Sequence, residues 1–309
     1  MTTLPGCVEQ DVPISRLTTV GTGGPARFFA RPESVGELAG LLEWRSQQGL
    51  AMAVIGLGSN LLAADEGFDG LIVRLAGGLA AIERDGDAIV CGGGASLAAV
   101  VKRASQWGLS GIEFGCAIPG TVGGAVRMNA GAYGGEMRDV LGEAVVLSHA
   151  GRREGGAEAL EMSYRRSNVT ADEVVAVATV ALTAGDPDRI AATVREMQRR
   201  RREAQPAGVR TFGSVWKNPS DDMTAGTLLE RCGLKGLQIG GARISPVHAN
   251  FIENTGDALS ADVIALMAEA RRRAREQFGI ALEHEVQLLG AIALPPTDSD
   301  QVLPHSLKP

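Results

Sequence analysis

Only two tyrosines, Tyr133 and Tyr164, occur in the 309 residues, and aromatic residues make up 4% of the chain. Histidine is nearly as scarce. His149, His248, His284 and His305 stand far apart, so a histidine metal cluster is not expected. The four cysteines, Cys7, Cys91, Cys116 and Cys232, include no pair at zinc-ligand spacing and are too few for a disulfide scaffold. Positive charge is not in excess: the net charge is −6, which argues against a nucleic-acid binder. The one dense basic block, Arg199–Arg202, has Glu196 and Glu203 beside it. It reads as a solvated helix face, with a phosphate contact as the lesser alternative. No apolar run is long enough to span a bilayer. The first residues, MTTLPGCVEQDV, have neither a basic n-region nor an apolar h-region and are not expected to form a signal peptide. A reduced, cytoplasmic protein is the expectation.

What the chain does have is glycine, 41 residues of it. Glycine in this amount implies many tight turns and places where backbone approaches something closely. The length suggests two domains or three. The balance of 45% hydrophobic and 21% charged residues is that of an ordinary globular protein. Residues 34–49 read as a helix, with Ser34 and Glu37 in a capping-box pattern and Gly49 as the stop. Short strands are expected at 51–56, 70–75 and 88–94, and a helix opening on Ser96 follows. Strand character returns at 143–148 and 174–182. A helix then starts at Asp186 as N-cap, with Pro187 in its first position. A last amphipathic helix from Ser260 is expected to bury Val263, Ile264, Met267, Ala270 and Phe278, and a strand is expected over 285–294. The tail from Pro295 is polar and expected to be loose. Strands and helices mix without regular alternation, which points to an α+β fold.

Two glycine-rich stretches stand out. Gly56-Leu57-Gly58-Ser59-Asn60-Leu61 follows a strand and starts like a dinucleotide fingerprint, but lacks its last glycine. Residues 115–135 are too rich in glycine for a helix and too apolar for a linker. There is no phosphate-loop motif and no nucleophile elbow. Backbone amides with Ser and Asn side chains still make a phosphate cradle, and two such loops suggest a ligand of dinucleotide size. A third stretch, GSVWKNP at 213–219, puts a hydroxyl, an ammonium and an amide on one short arc. Taken alone it reads as a plain turn.

Six segments occur in one order: VIGLGSNLL, IPGTVGGAVRMNAGAYGGE, SYRRS, GSVWKNP, LKGLQIGGARISPVHANFIEN and LEHEV. Together they resemble the UDP-N-acetylenolpyruvoylglucosamine reductases, over about Thr18 to Gly290. Thr18–Ala26 resembles the N-terminal motif of that family's first lobe. The resemblance implies a two-lobed FAD-binding fold of the vanillyl-alcohol-oxidase type, followed by a smaller α+β substrate domain. The expected boundaries are 1–70 and 71–198 for the lobes, 199–295 for the substrate domain and 296–309 for a flexible tail. It implies non-covalent FAD, NADPH as hydride donor and reduction of the enolpyruvyl group of a UDP-sugar to give UDP-N-acetylmuramate for peptidoglycan.

Residue by residue, the resemblance assigns Gly56, Leu57, Gly58, Ser59, Asn60 and Leu61 to the FAD pyrophosphate. It assigns Pro119, Gly120, Thr121, Gly123, Gly124 and Ala125 to the flavin and its phosphates. Ser214 would be the proton donor, assisted by Lys217 or a water. Arg165 would pair with the substrate carboxylate, for which a two-pronged guanidinium is suited. Tyr164, Lys217 and Asn218 would contact substrate, and Arg166 would lie outside the site. Glu285 would be the catalytic glutamate. Glu283, two residues before it, points the same way on a strand, and only the family pattern separates the two. The chain departs from that pattern at Cys116-Ala117, at Arg127 where an aromatic is common, and at Trp216 in place of phenylalanine. No tyrosine lies between Arg165 and Ser214, as in the branch without the tyrosine lid loop. Two other readings compete: an alcohol oxidase of the same fold, and a flavin-binding sensor without catalysis. The first often tethers flavin through a histidine, and neither glycine-rich loop contains one. The second needs no proton donor.

Overall fold

A computed structural model describes residues 4–296. Most of the expected tail, 297–309, lies outside the described residues.

The first unit is a four-stranded sheet in the order Val8–Pro13, Pro25–Ala30, Phe68–Val73, Ala51–Val54. The first pair is antiparallel and the other two are parallel. Helix α1, Val35–Gln47, covers it with Leu38, Leu41, Leu42 and Trp44, and Trp44 meets Phe28 edge-on at 5.4 Å. The helix starts as expected, because the Ser34 hydroxyl accepts from Glu37 N at 3.2 Å. The reciprocal bond is displaced by one residue: Glu37 accepts from Glu33 N rather than from Ser34 N.

The second unit is an all-antiparallel sheet of five strands. Their order is Gly151–Gly155, Leu141–Ser148, Val174–Ala181, Ala88–Gly92, Ile82–Asp85. Helices α2 (Leu97–Gln106), α3 (Val122–Arg127) and α4 (Pro187–Ala204) belong to it. Helix α4 opens on Asp186, whose side chain accepts from Asp188 N, with Pro187 next. Helix α3 corrects the expectation that residues 115–135 contain no helix. Two glycines in its six residues cost about 1 kcal/mol each relative to alanine. Burial of Val122, Ala125 and Val126 in the core of this unit offsets that.

The third unit pairs Arg210–Thr211, Ile252–Asn254, Ala242–Ile244 and Gln238–Ile239 in that order. Helices α5 (Ala225–Arg231) and α6 (Ser260–Phe278) pack with it. Val263, Met267 and Ala270 are buried on α6 as expected, together with Leu266 and Ala274. Ile264 is only partly covered. Phe278, expected in the core, is 40% exposed. It is the last helical residue, and Gly279 then turns the chain away at φ 70. The start of α6 is capped from the first unit: the Asp65 carboxylate accepts from Ser260 N at 2.8 Å and Ala261 N at 3.0 Å.

The chain then returns. The expected strand at 285–294 is shortened to Gln287–Leu289, which pairs in parallel with Leu61–Ala63 of the first unit. The elements also shift the expected boundaries. Strand Phe68–Val73 runs across residue 70, and α4 runs across residue 198. The expected boundaries thus cut through a strand and a helix, each of which is continuous in the structure.

The arc 213–219 is held from the third unit. Buried Asn250 accepts from Trp216 N and donates to Trp216 O, both at 2.9 Å, while its carbonyl accepts from Val215 N at 3.0 Å. Trp216 is 2% exposed, so its bulk belongs to this core and not to a pocket. Asn250→Ala leaves two buried backbone groups without partners, each costing about 1–3 kcal/mol. We expect a loss of roughly 2–4 kcal/mol in urea unfolding; a loss well under 1 kcal/mol would show that this amide does not hold the arc.

Candidate active site

Two cavities adjoin where the units meet. The first lies between the strand ends of the first two units. Gly56 and Leu57 follow strand Ala51–Val54, Gly93 and Gly94 follow Ala88–Gly92, and Thr121, Gly123 and Gly124 come from α3 and its cap. Its walls are largely backbone and apolar side chains. A Cβ at Gly56 would stand 2.5 Å from Thr121 Oγ1, and one at Gly93 would stand 1.8 Å from Val175 O. Any side chain at these positions would therefore disrupt the wall. Arg74 also lines the cleft. It donates to Leu17 O at 2.9 Å, while its buried Nε has no partner. A glycine-lined backbone cleft with an unsatisfied guanidinium nitrogen fits a flat ring system carrying a diphosphate, so these residues fit FAD.

Of the residues expected to hold FAD, Gly56, Leu57, Thr121, Gly123 and Gly124 line this cleft. The others build its frame. Gly58 has φ 67 and its carbonyl accepts from Thr19 N at 3.0 Å. The Ser59 hydroxyl donates to Pro119 O and so ties the two glycine-rich loops together. Asn60 donates to Glu285 O at 3.1 Å, and Leu61 pairs with Gln287. Gly120 O accepts from Leu97 N. Pro119 is exposed. The Ala125 side chain faces the core of the second unit and not the cleft.

The second cavity is polar. Arg165, Lys217 and Glu285 line it, with Arg166, Glu283 and His284. Arg166, expected outside the site, thus shares its wall. Arg165 adopts φ 57, a left-handed backbone conformation uncommon for arginine. It donates to Gly131 O at 2.9 Å, and its Nε stands 3.0 Å from Glu285 Oε1. That nitrogen finds no well-aligned acceptor, so the contact is a close ion pair and not a hydrogen bond. The preceding Tyr164 is 48% exposed and stacks beneath the guanidinium at 5.2 Å. Buried Asn129 positions this turn, donating to Ser163 O at 2.9 Å and to Glu136 at 3.0 Å.

Burial and pairing separate the two glutamates that sequence alternation could not. Glu283 pairs with Lys217 while 72% exposed, whereas the Glu285 side chain is 17% exposed. Burial raises the Glu285 carboxyl above the usual glutamate range, and Arg165 and then Lys217 oppose the shift.

Ser214 is half-buried and is fixed through its neighbours. Gly213 N donates to Ser59 O at 2.8 Å, and Val215 O accepts from Glu285 N at 2.7 Å. The serine therefore stands between the cofactor loop and the glutamate, although it lines neither cavity. Asn218 is exposed and its side chain accepts from Ala225 N at 3.0 Å, at the start of α5. In the basic block on α4, Arg199 and Arg200 pair with Glu196 as a solvated face. Arg201 differs, donating to Ala117 O in the second glycine-rich stretch at 2.7 Å. Among the described residues there is no cluster that could hold a metal ion.

Two family models match the chain: an FAD binding domain over residues 26–153, and the C-terminal domain of UDP-N-acetylenolpyruvoylglucosamine reductase over residues 205–289. UDP-N-acetylenolpyruvoylglucosamine reductase 2 of Symbiobacterium thermophilum is 41% identical over 288 residues, covering 93% of each chain. The reductase of Paramagnetospirillum magneticum is 42% identical over 286 residues, covering 92% of each. The crystal structure of the Thermus caldophilus reductase superposes with a TM-score of 0.80 at 35% identity, over 92% of this chain and 99% of that one. The 6-hydroxy-D-nicotine oxidase of Arthrobacter nicotinovorans, at 16% identity and a TM-score of 0.51, shares the fold alone.

The raised Glu285 carboxyl has a signed consequence. The folded state binds this proton more tightly than the unfolded state, so stability falls as pH rises from the unfolded value through the folded one. We expect Glu285→Gln to gain stability relative to the parent between pH 4 and pH 8, measured by denaturant unfolding at both. A relative loss over that interval would show that the ion pair with Arg165 outweighs burial.

Proposed function

The chain belongs to the UDP-N-acetylenolpyruvoylglucosamine reductase family, and on that premise we propose how its residues divide the work. The activity is that of an FAD-dependent oxidoreductase. It reduces the enolpyruvyl group of UDP-N-acetylglucosamine enolpyruvate with NADPH and yields UDP-N-acetylmuramate for peptidoglycan. Among the described residues no helix is long and apolar enough to cross a membrane. We assign the reaction to the cytoplasm, where a UDP-sugar and NADPH are both at hand. Cell-wall biogenesis, and through it cell shape and division, would depend on it.

When bound, FAD would supply hydride chemistry, with NADPH as the donor. Gly56, Leu57, Thr121, Gly123 and Gly124 would hold it, on the frame made by Gly58, Ser59, Asn60, Leu61, Pro119 and Gly120. Hydride arrival at the substrate double bond builds negative charge on the carbon beside the substrate carboxylate. Two demands follow: fixed positive charge to hold that density, and an acid to protonate carbon. Arg165 meets the first by binding the carboxylate through parallel hydrogen bonds, with Tyr164 supporting its guanidinium. Lys217 adds a second cation on the same wall. Ser214 meets the second demand as proton donor. Glu285, whose carboxyl burial holds toward the neutral form, polarises the substrate carboxylate from the other side.

The observation that carries this reading is the convergence of Arg165, Lys217 and Glu285 on one polar cavity that shares Arg127 and Val169 with the wall of the glycine-lined cleft. Ser214→Ala should leave NADPH-driven bleaching of the flavin intact and slow re-oxidation by the UDP-sugar. Loss of a general acid costs on the order of 10²–10⁴ in rate. Turnover at the parent rate in that variant removes Ser214 from the role. Glu285→Gln should likewise spare the first half-reaction while Glu283→Gln stays near neutral, and the reverse pattern would exchange the two acids.

A further inference from the structure

Arg127 ends α3 and, with Val169, is common to the walls of both cavities. It lies four residues after Gly123 and three after Gly124, on the helix face that these glycines turn to the cleft. Among the described residues no hydrogen bond or ion pair engages its guanidinium. Its charged neighbour is Glu173, but the Glu173 oxygens already accept from Arg153 at 2.6 and 3.0 Å and from Thr170 N at 2.8 Å. Burial lowers the Arg127 guanidinium below its usual value, with Glu173 opposing. A partly buried cation without a protein partner is costly unless an anion meets it. The other cations are placed differently. Arg74 lines only the cleft and is spent on Leu17 O. Arg165, Arg166 and Lys217 line only the substrate cavity.

A hydride carries two electrons and one proton, so a flavin that accepts one gains a net negative charge. We propose that Arg127 is the cation that meets this charge and thereby favours the reduced over the oxidised cofactor. The inference rests on the first cavity holding flavin. Arg127 is also one of the positions where this chain departs from the aromatic that the family resemblance leads one to expect.

The test is a redox titration of the flavin-loaded parent, Arg127→Met and Arg127→Lys, with the affinity for oxidised FAD measured alongside. In Arg127→Met the preference for reduced over oxidised flavin should fall roughly tenfold, a midpoint potential about 30 mV lower for a two-electron couple. Arg127→Lys should recover most of it. A flavin-loaded Arg127→Met at the parent potential overturns the proposal. So does an unchanged potential with a raised KM for the UDP-sugar, which would assign the anion to the substrate. Should Arg127→Met not retain flavin, Arg127→Gln carries the same expectations. A parent protein that takes up no flavin at all would instead overturn the cofactor assignment.

Discussion

Backbone hydrogen bonds along residues 283–289 join three parts of the chain that are far apart in sequence. Lys217 N donates to Glu283 O, Glu285 N donates to Val215 O, and Gln287 N donates to Asn60 O. The same run then pairs with Leu61–Ala63. The Asn60 side chain adds a bond to Glu285 O across 225 positions of sequence. This one seam brings the first glycine-rich loop, the serine arc and Glu285 to one place. Each contact closes a long loop, and the closure entropy is shared because the seam is continuous. The Asp65 cap on α6 and the Asn254 bond to Val20 O hold the third unit to the first elsewhere.

The seam also sets the electrostatics. It turns Glu283 and Glu285 toward the same cavity, and each finds a cation, Lys217 and Arg165. The outer pair is solvated and worth little. The inner one is buried enough that its carboxyl resists ionisation, which makes removal of a partner consequential. In the proposed reaction the substrate carboxylate competes with Glu285 for Arg165. Arg165 can exchange one for the other because its second anchor, Gly131 O, does not depend on either.

Much of this was legible in the sequence where chemistry is local. Asp186-Pro187 announced the start of α4, and Ser34 that of α1. The glycine clusters marked both sides of a ligand cleft, because a Cβ at Gly58 would stand 2.0 Å from the backbone oxygen of Leu17, a contact that excludes every other residue. What was not legible depends on tertiary pairing. Gly93 and Gly94 read as the end of a strand, and only the facing loop makes them a wall. Arg74 follows a strand with no motif to mark it. Helix α3 was hidden because glycine propensity argues against it while buried valines decide for it. Glu283 and Glu285 differ in burial and in their cation partner, which alternation along one segment cannot express. Ala125 and Asn218 fall inside the right motifs but serve the core and a helix start.

The central claim is that the two adjoining cavities form one reaction site serving two half-reactions. The most direct measurement follows the flavin band under anaerobic conditions, first with NADPH and then with the UDP-enolpyruvyl sugar. The account predicts bleaching with NADPH and recovery only when the sugar is added. Recovery that waits for oxygen and ignores the sugar would contradict it and favour an oxidase on the same fold.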